Sequence, residues 1–321
     1  MSGGISVGLD LGGTKTDAMA LDAAGQVRGR LRLSTRPGTE GVLATIRQAM
    51  SQLRHSTGSP LSSLGVGIPG QISADGSEVR YAVNLGLSSL DLGGRLAREF
   101  SVPVRVENDV KAAARGVAAL RGGSTETLAY LNLGTGVAAG IVVEGKLWRG
   151  VGGAAGEIGH VSIDPNGPEC RCGQRGCIEA FTGGGSLAHR WGAADPSAVR
   201  GIIASAQDGD ELAQRLRSDL AFGAAAAVRL LVLAADVPTV VLGGGVSRMG
   251  EPLVHDVRNT LRAAAESSEF LRSLELPDRV ELLEAGSPAA SLGAALVGMP
   301  QGRDQEAAVG VGAGPQREDD R

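Results

Sequence analysis

The chain has 321 residues, a net charge of −4, a hydrophobic fraction of 42% and an aromatic fraction of only 2%. This length fits one large or two medium domains, and the acidic balance, without a run dense in Lys and Arg, argues against a nucleic-acid partner. The opening residues MSGGISVG lack the regions of a signal peptide, and the most apolar helical stretch, 221–236, is too short to span a bilayer. We therefore expect a cytoplasmic protein without a membrane partner.

The first part of the chain is predicted to alternate strands and helices. Three segments of alternating apolar residues are joined by short glycine-containing links, which are typical of antiparallel hairpins. These strands cover 5–13, 16–22 and 26–34. The patterns that follow predict a helix over 39–54, a strand over 64–70, a helix over 88–99, a strand over 102–109 and a helix over 110–121.

The opening pattern returns at residue 127. Both 7–30 and 127–150 contain an apolar strand, an L-(D/N)-L-G-(G/T) turn, a second strand, a glycine turn and a short third strand. An internal duplication explains this similarity, although glycine-turn hairpins in general look alike. The duplication predicts two similar lobes, with a site in the cleft between them.

The rest of the chain completes the second lobe. Residues 151–185 are predicted to be rich in loops, and they are followed by helices over 208–218 and 219–235, a strand-turn-helix unit over 238–265, a strand over 281–285 and a helix over 288–298. Residues 1–122 with about 288–300 are predicted to form the N-terminal α/β lobe, and 123–287 the C-terminal lobe. The polar, glycine-rich residues 301–321 are predicted to be a disordered tail.

The turn after the first strand, LDLGGTKT, has the composition of an anion-binding loop. Gly12 and Gly13 allow backbone N–H groups to point at an anion. Asp10 ends the strand, where a carboxylate beside phosphates needs a divalent cation to offset repulsion. Further donors follow the glycines, namely Thr14, Lys15 and Thr16.

A glycine turn after an apolar strand occurs twice more. LGTGVAAG places Thr135 and Gly136 in a turn, and LGGGVS leads from Gly244 into a helix, which suits contact with a nucleotide or its phosphates. One such turn alone is ordinary hairpin chemistry. Three of them after apolar strands, two within a repeat, favour a nucleotide site.

The segment VEND (106–109) ends a strand with polar side chains just before a helix. One interpretation is structural, because Asn108 or Asp109 would cap that helix. The other is catalytic: Asp109 would orient a hydroxyl and accept its proton, the kind of positioning that phosphoryl transfer requires.

All three cysteines lie within GHVSIDPNGPECRCGQRGC (159–177), together with a histidine. A chance cluster of reduced thiols and a redox site are the alternatives to a metal site, but a Cys-x-x-Cys pair is missing. Four protein ligands leave no open position, so we predict structural zinc, with the second ring nitrogen of the histidine available to a backbone carbonyl or a sugar hydroxyl. The predicted ligands are His160, Cys170, Cys172 and Cys177.

In combination, these motifs resemble the ROK family (repressor, open reading frame, kinase) of sugar kinases and sugar-responsive repressors. The resemblance covers about residues 5–300. It rests on D-x-G-G-T (10–14), G-I-P-G (67–70), E-N-D (107–109), L-G-T-G (133–136), G-E-I-G-H (156–160), C-x-C-G-x-x-G-C-x-E (170–179) and L-G-G-G-V (242–246). It implies an actin-like (ribonuclease-H-like) two-domain α/β kinase that closes over ATP–Mg²⁺ and a hexose.

The resemblance also implies the roles of individual residues. Asp109 would be the base that takes a proton from the sugar 6-hydroxyl. The residues that hold the other hydroxyls would be Asn84, Asn108, Glu157, His160 and Glu179. The nucleotide–Mg²⁺ side would be lined by Asp10, Gly12, Gly13, Thr14, Lys15, Thr135, Gly136 and Gly244.

Two positions depart from the family pattern. Lys111 stands where a second Asn is usual after E-N-D, and Leu87 replaces the aromatic residue of N-L-G-W. Both are expected near the sugar. Lys111 would either point to solvent or lower the basicity of Asp109.

The leading hypothesis is an ATP-dependent hexose kinase of the glucokinase type, with N-acetylmannosamine, N-acetylglucosamine or fructose as alternative substrates. The second is a sugar-sensing ROK regulator. ROK repressors carry a helix-turn-helix domain before the kinase-like body, and the first predicted strand here begins at about Ile5. A non-catalytic sugar-binding protein is a third hypothesis, opposed by the intact Asp109. The family relatives further imply a homodimer.

Overall fold

The computed structural model describes residues 4–123, 125–193, 195 and 198–300. The predicted tail, 301–321, lies outside the described residues. The chain divides into two compact units: the first comprises the residues up to Glu126 and those from Pro288 onward, and the second is Thr127–Ser287. Each unit is built on a five-stranded sheet.

The first unit contains most of the elements that precede residue 127. In chain order they are β1 (Ile5–Leu11), β2 (Lys15–Leu21), β3 (Val27–Ser34), α1 (Thr39–Thr57), β4 (Leu61–Ile68), β5 (Gln71–Ile72), β6 (Val79–Ala82), β7 (Leu87–Leu90), α2 (Leu92–Phe100), β8 (Val104–Asn108) and α3 (Asp109–Arg121). The predicted order of strands and helices is confirmed, except around residues 71–90, where β5, β6 and β7 form a small separate sheet.

The predicted helix over 88–99 is wrong in its first part. Leu87 and Leu90 are buried and stand three residues apart, which is a helical spacing, yet residues 87–90 form β7, which pairs antiparallel with β6. The helix begins after Asp91, whose side chain accepts a hydrogen bond from the backbone N–H of Gly94 and caps it.

The second unit follows the same plan with more helices. Its elements are β9 (Leu128–Leu133), β10 (Val137–Val143), β11 (Lys146–Trp148), α4 (Ile178–Thr182), α5 (Gly184–Arg190), α6 (Val199–Gln207), α7 (Glu211–Ala235), β12 (Val240–Gly243), α8 (Glu251–Ala265), α9 (Glu269–Ser273) and β13 (Val280–Leu282). The chain then returns to the first unit with α10 (Ala289–Gly298).

The two helices predicted over 208–218 and 219–235 are one helix, α7. Leu216, Leu220 and Ala224 are spaced four residues apart and all are buried, so one continuous face packs into the core. At 25 residues, α7 is long and apolar enough to cross a membrane, contrary to the prediction for this region. Half of its apolar window is buried inside the unit, as in the core helix of a folded domain.

Both sheets have the same strand order. The first is β3-β2-β1-β4-β8 and the second is β11-β10-β9-β12-β13. In each, the first strand pairs antiparallel with the second strand and parallel with the fourth sheet member. The predicted internal duplication is therefore confirmed.

In the first unit, α10 packs on α3 and on strands β1 and β4. This approach is very close, since a Cβ at Gly65 would overlap the backbone carbonyl of Ala294. The parallel strands β1, β4 and β8 are thereby covered on one face, and their carboxyl ends remain at one edge of the sheet, where α/β proteins bind ligands.

Candidate active site

Asp10 lies at the carboxyl end of β1 and Asp109 directly after the carboxyl end of β8, the strands on either side of β4 in the first unit. Asp10 pairs with Gly67 of β4, and a Cβ at Gly67 would lie 3.6 Å from the Cα of Asp109. Burial raises the pKa of the Asp10 carboxyl to about 7, and the negative charges of Asp109 and Asp17 add to this effect. Carboxylates are the ligands that divalent cations such as Mg²⁺ prefer, so Asp10 and Asp109 form a donor set suited to such a cation.

The glycine turn after β1 is a tight hairpin. The backbone N–H of Gly12 donates to the carbonyl of Lys15 over 3.0 Å. A Cβ at Gly13 would lie 3.2 Å from the carbonyl oxygen of Asn84, so the predicted sugar ligand Asn84 lies directly against the predicted phosphate turn. The side chains of Thr14 and Lys15 are exposed beside these glycines and are free of core packing.

Thr16 does not join that set of donors. Its side chain is fully buried, and its hydroxyl is 2.8 Å from the hydroxyl of Thr35. The alternation of β2 explains the difference, because residue 16 points to the opposite face from Lys15.

Asn108 caps α3. Its side-chain oxygen accepts hydrogen bonds from the backbone N–H groups of Val110 and Lys111, and its Nδ2 donates to the carbonyl of Gly70 over 3.3 Å. The structural interpretation of this residue is thus observed, and one Nδ2 hydrogen is left beyond these bonds. Asp109 follows as the first residue of α3, partly buried, where the helix dipole favours a negative charge.

The two departures from the family pattern lie differently from what we expected. Leu87 is 4% exposed and packs in the core of the first unit, so it does not face a ligand. Lys111 is also 4% exposed, which excludes the interpretation that it points to solvent. It lies two residues after Asp109 in the first turn of α3, and side chains at this spacing do not face each other on a helix.

In the second unit, Glu179 holds the Thr135–Gly136 turn. Its carboxylate accepts a hydrogen bond of 2.9 Å from the backbone N–H of Val137. A Cβ at Gly136 would lie 2.6 Å from the same carboxylate, so glycine is required for this approach. A predicted sugar ligand and a predicted nucleotide turn are therefore in direct contact.

Two further glycine segments pack on this turn. The backbone N–H groups of Gly184 and Gly185 donate to the carbonyls of Gly134 and Thr135 over 2.8 and 2.9 Å. Sequence reasoning missed these two residues, although the run T-G-G-G at 182–185 was a usable signal. On another side, a Cβ at Gly244 would lie 2.5 Å from the carbonyl of Leu133, so the predicted turn at Gly244 belongs to the same group of loops.

Glu157 and His160 share one short turn against β10. The backbone N–H of His160 donates to the carbonyl of Glu157 over 3.3 Å, and both side chains are exposed. A Cβ at Gly159 would overlap the carbonyl of Val137, the residue whose N–H binds Glu179. The three predicted sugar ligands of this unit therefore lie around one residue of β10.

The predicted zinc ligands come together. One ligand atom from each of His160, Cys170, Cys172 and Cys177 lies within 4.8 Å of all the others. The Sγ atoms of Cys172 and Cys177 are 3.7 Å apart, and Nδ1 of His160 is 3.9 Å from Sγ of Cys170. Tetrahedral zinc with Zn–S bonds of about 2.3 Å requires ligand separations of about 3.5–3.8 Å, so the donor set fits the ion.

The thiols differ in their ionisation. Burial raises the pKa of Cys170, and raises that of Cys177 to about 12. Hydrogen bonds from the backbone and the side chain of Gln174 lower the pKa of the exposed Cys172 to about 6. Because metal ligation requires thiolates, two of the three sulfurs need the cation itself to stay deprotonated.

The cysteine loop leads directly into the helix that carries Glu179. Cys177 is the N-cap residue of α4, and Glu179 lies in the first turn of that helix. His160, at the other end of the loop, directs Nδ1 to the cysteines. Its second ring nitrogen, Nε2, is the one left for another partner.

A family model described as ROK family matches residues 6–298. The chain belongs to the ROK family. It is 30% identical over 292 residues to a glucokinase of Halalkalibacterium halodurans, which covers 82% of this chain and 88% of that protein. It is 36% identical over 256 residues to an N-acetylmannosamine kinase of Escherichia coli, which covers 75% of this chain and 83% of that protein.

Solved structures of ROK proteins share the fold. A ROK hexokinase from Thermus thermophilus superposes with a TM-score of 0.79 at 30% identity, covering 92% of this chain and 97% of that one. A ROK family glucokinase from Streptomyces griseus, in complex with glucose and AMPPNP, gives a TM-score of 0.73 at 29% identity, covering 92% and 99%. The predicted actin-like α/β fold of this ROK protein is confirmed.

Proposed function

We propose that this ROK protein transfers the γ-phosphoryl group of ATP to the 6-hydroxyl of a hexose, with glucose as the leading substrate. The observation that carries the proposal is the placement of Asp10 and Asp109 at the carboxyl ends of β1 and β8, on either side of β4, where burial and the charge of Asp109 raise the pKa of Asp10 to about 7. Relatives named glucokinase, at about 30% identity over most of both chains, support the choice of sugar.

In this mechanism Asp109 is the general base. Its carboxylate accepts the proton of the sugar 6-hydroxyl as that oxygen forms a bond to the γ-phosphorus, while the bond to the β,γ-bridging oxygen breaks and ADP leaves. The position at the N-terminus of α3 favours its charged form, which is the form that accepts a proton.

Asp10 and the turn that follows it would hold the phosphates. Mg²⁺, when bound, neutralises charge on the β- and γ-phosphates, and Asp10 is the residue of the first unit placed to hold it. The nucleotide residues we assign in the first unit are Asp10, Gly12, Gly13, Thr14 and Lys15. Those we assign in the second unit are Thr135, Gly136 and Gly244.

The remaining sugar hydroxyls would be bound by polar side chains from both units. Glu157, His160 and Glu179 lie around Val137 of β10. In the first unit, Asn84 lies against Gly13, and Asn108 has one amide hydrogen beyond its capping bonds. These carboxylate, imidazole and amide groups are the donors and acceptors that sugar hydroxyls require.

We assign a structural zinc to His160, Cys170, Cys172 and Cys177, supported by their mutual distances. The ion would fix the two ends of the loop, one at His160 and the other at the start of α4. The sugar-binding groups at both ends would then depend on the metal, although the metal takes no part in the reaction.

The experiment that tests the proposal is ADP release with a panel of sugars. Glucose should give the highest kcat/KM among glucose, mannose, fructose, N-acetylglucosamine and N-acetylmannosamine. An N-acetylmannosamine kinase is the second candidate, favoured by the 36% identity to the Escherichia coli enzyme. No turnover with any of these sugars would overturn the kinase assignment and favour a sugar-sensing regulator.

We further propose that the protein is a cytoplasmic homodimer. Two exposed apolar residues on one face of α7, Phe222 and Leu233, support a protein interface. Light scattering after size exclusion should give twice the chain mass of 32.5 kDa, and a monomer would contradict this assignment.

A further inference from the structure

Tyr81 has an unusual backbone for its residue type. It lies in β6 with a φ of 56°, in the left-handed region that favours glycine. Its side chain is nevertheless exposed, at 67%. A large aromatic residue that keeps a strained backbone and gains no burial is unusual, and such strain concentrates at functional sites.

The segment around Tyr81 is firmly anchored. Ala82 is 1% exposed and Leu85 is fully buried, and β6 pairs with β7 through Val79–Leu90 and Ala82–Leu87. The outward direction of Tyr81 is therefore held by the fold on both sides. Val83, two residues further along the chain, is 81% exposed.

The same segment touches both functional loops of the first unit. A Cβ at Gly70 would lie 2.6 Å from the carbonyl of Arg80 and 3.2 Å from the N–H nitrogen of Ala82, the two neighbours of Tyr81. Gly70 in turn accepts the hydrogen bond from Nδ2 of Asn108, the residue before the proposed base.

On its other side, the segment contacts the proposed phosphate turn. The carbonyl oxygen of Asn84 would lie 3.2 Å from a Cβ at Gly13. Along the chain, Tyr81 and Val83 thus lie between a residue that contacts the loop supporting Asn108 and a residue that contacts the loop that would hold phosphate. If Asp109 is the base, the sugar carrying the 6-hydroxyl must bind close to the first of these loops.

We infer that Tyr81, flanked by Val83, is a specificity-determining residue that contacts the C–H face of the bound pyranose; this inference rests on the proposed hexose kinase function. A pyranose ring presents polar hydroxyls at its rim and C–H groups on its face, and ligand sites combine a few polar groups with aromatic surface. The proposed hydroxyl ligands are all polar, and Tyr81 supplies the apolar partner that they lack.

The test compares variants at Tyr81 by sugar kinetics and by calorimetry of glucose binding. Tyr81→Ala should raise both the KM and the Kd for glucose about 5–10-fold, with the KM for ATP within twofold of wild type. Tyr81→Phe retains the ring and should stay within twofold for both substrates.

Tyr81→Gly distinguishes the effect of losing the aromatic ring from the effect of the strained backbone. It removes the left-handed strain, so its melting temperature should equal or exceed that of wild type, while its KM for glucose should rise as in Tyr81→Ala. Glu144→Gly is the matched control, because Glu144 also has a positive φ, of 49°, and lies in the turn between β10 and β11. Its kinetics should be unchanged.

Phe270→Ala controls for loss of an exposed aromatic ring, since Phe270 is 62% exposed in α9. Its KM for glucose should not change. If Tyr81→Ala and Tyr81→Gly bind and phosphorylate glucose like wild type, or if the KM for ATP rises as much as that for glucose, the inference is wrong. If wild type neither binds nor phosphorylates any sugar of the panel, the proposed function fails first.

Discussion

The two units repeat one hairpin but end its first strand with different residues. In the first unit the strand ends as L-D-L-G-G-T, and Asp10 pairs with Asp17 and Gly67. In the second it ends as L-N-L-G-T-G, and Asn132 takes the same place, pairing with Ala138 and Gly243.

The difference is one of charge. Asp10 is a buried carboxyl with a pKa of about 7 beside two other carboxylates, whereas Asn132 is neutral and accepts a hydrogen bond from the hydroxyl of Tyr130. The duplicated scaffold supplies two similar glycine turns, and the first has at its strand end the carboxyl group that we propose for phosphoryl transfer. We therefore expect substitutions in the first unit to affect chemistry, and those in the second to affect binding.

The largest effect should come from Asp109→Asn. Loss of the proposed base should lower kcat for glucose by ~10²–10⁴-fold, because general base catalysis typically contributes that much, while glucose still binds. Stopped assays of ADP release and calorimetry of glucose binding measure the two quantities. Asp236→Asn, at a side chain that is 94% exposed, is the control and should behave as wild type. An active Asp109→Asn enzyme would place the base elsewhere.

Asp10→Asn makes the first turn resemble the second. It should lower kcat/KM for ATP by roughly 10²-fold, since it removes a preorganised charge from the phosphate site, and it should weaken the dependence of the rate on Mg²⁺. The reciprocal change Asn132→Asp in the Asp10→Asn background should restore nothing. Recovery in that double variant would mean that the two turns are interchangeable.

In the second unit, Cys172→Ser should release the metal and raise the KM for sugar about 10-fold, with a smaller change in kcat. Cys172 is the exposed cysteine, so the substitution disturbs packing least. Elemental analysis should find about one zinc per wild-type chain and much less in the variant. A variant that lacks zinc but keeps its KM for sugar would show that the metal stabilises the loop without affecting sugar binding.

Gly136→Ala should act through Glu179. The added Cβ would lie 2.6 Å from the carboxylate and displace it from the N–H of Val137, so we expect the KM values for sugar and ATP to rise several-fold together. Gly201→Ala is the control, because among the described residues a Cβ there meets no heavy atom within 4 Å. A change in the KM for ATP alone would contradict the proposal that Glu179 supports both the sugar site and the nucleotide turn.

The smallest effect is on stability. The pKa of Asp10 is raised on folding, so the folded protein binds a proton more tightly than the unfolded chain and loses stability as the pH rises from about 4 to about 7. Without divalent cations, Asp10→Asn should be more stable than wild type at pH 8 by at least ~1 kcal/mol, since one pKa unit corresponds to about 1.4 kcal/mol. Urea unfolding at pH 5 and pH 8 measures this. An equal difference at both values would contradict the shift.

The repeated hairpins and the grouping of His160 with the three cysteines could be predicted from the sequence because both are local patterns. The alternation in β1 to β3 and in β9 to β11 marks strands directly, and the cysteine spacing marks a metal site. Sequence reasoning failed at 88–90, because the apolar residues of Leu-Ser-Ser-Leu stand three apart, a helical spacing, while the segment forms a strand by pairing with β6. It also missed the helices of 178–207.

The contacts that link functional residues could not be predicted. The bond from Glu179 to Val137 joins residues 42 positions apart, and only the fold brings them together. Leu87 was expected near the sugar from its place in a family motif, yet it pairs with Ala82 of β6 and packs in the core of the first unit. The left-handed backbone of Tyr81 has no sequence signature, because tyrosine rarely adopts it.

The identity of the product tests the central claim most directly. Purified protein is incubated with ATP, Mg²⁺ and glucose, and the phosphorus–proton couplings of the product are measured by NMR. We expect the phosphorus to couple to the two protons on C6, and Asp109→Asn to yield little of this product. Phosphate on any other oxygen of glucose, or no sugar phosphate at all, would contradict it.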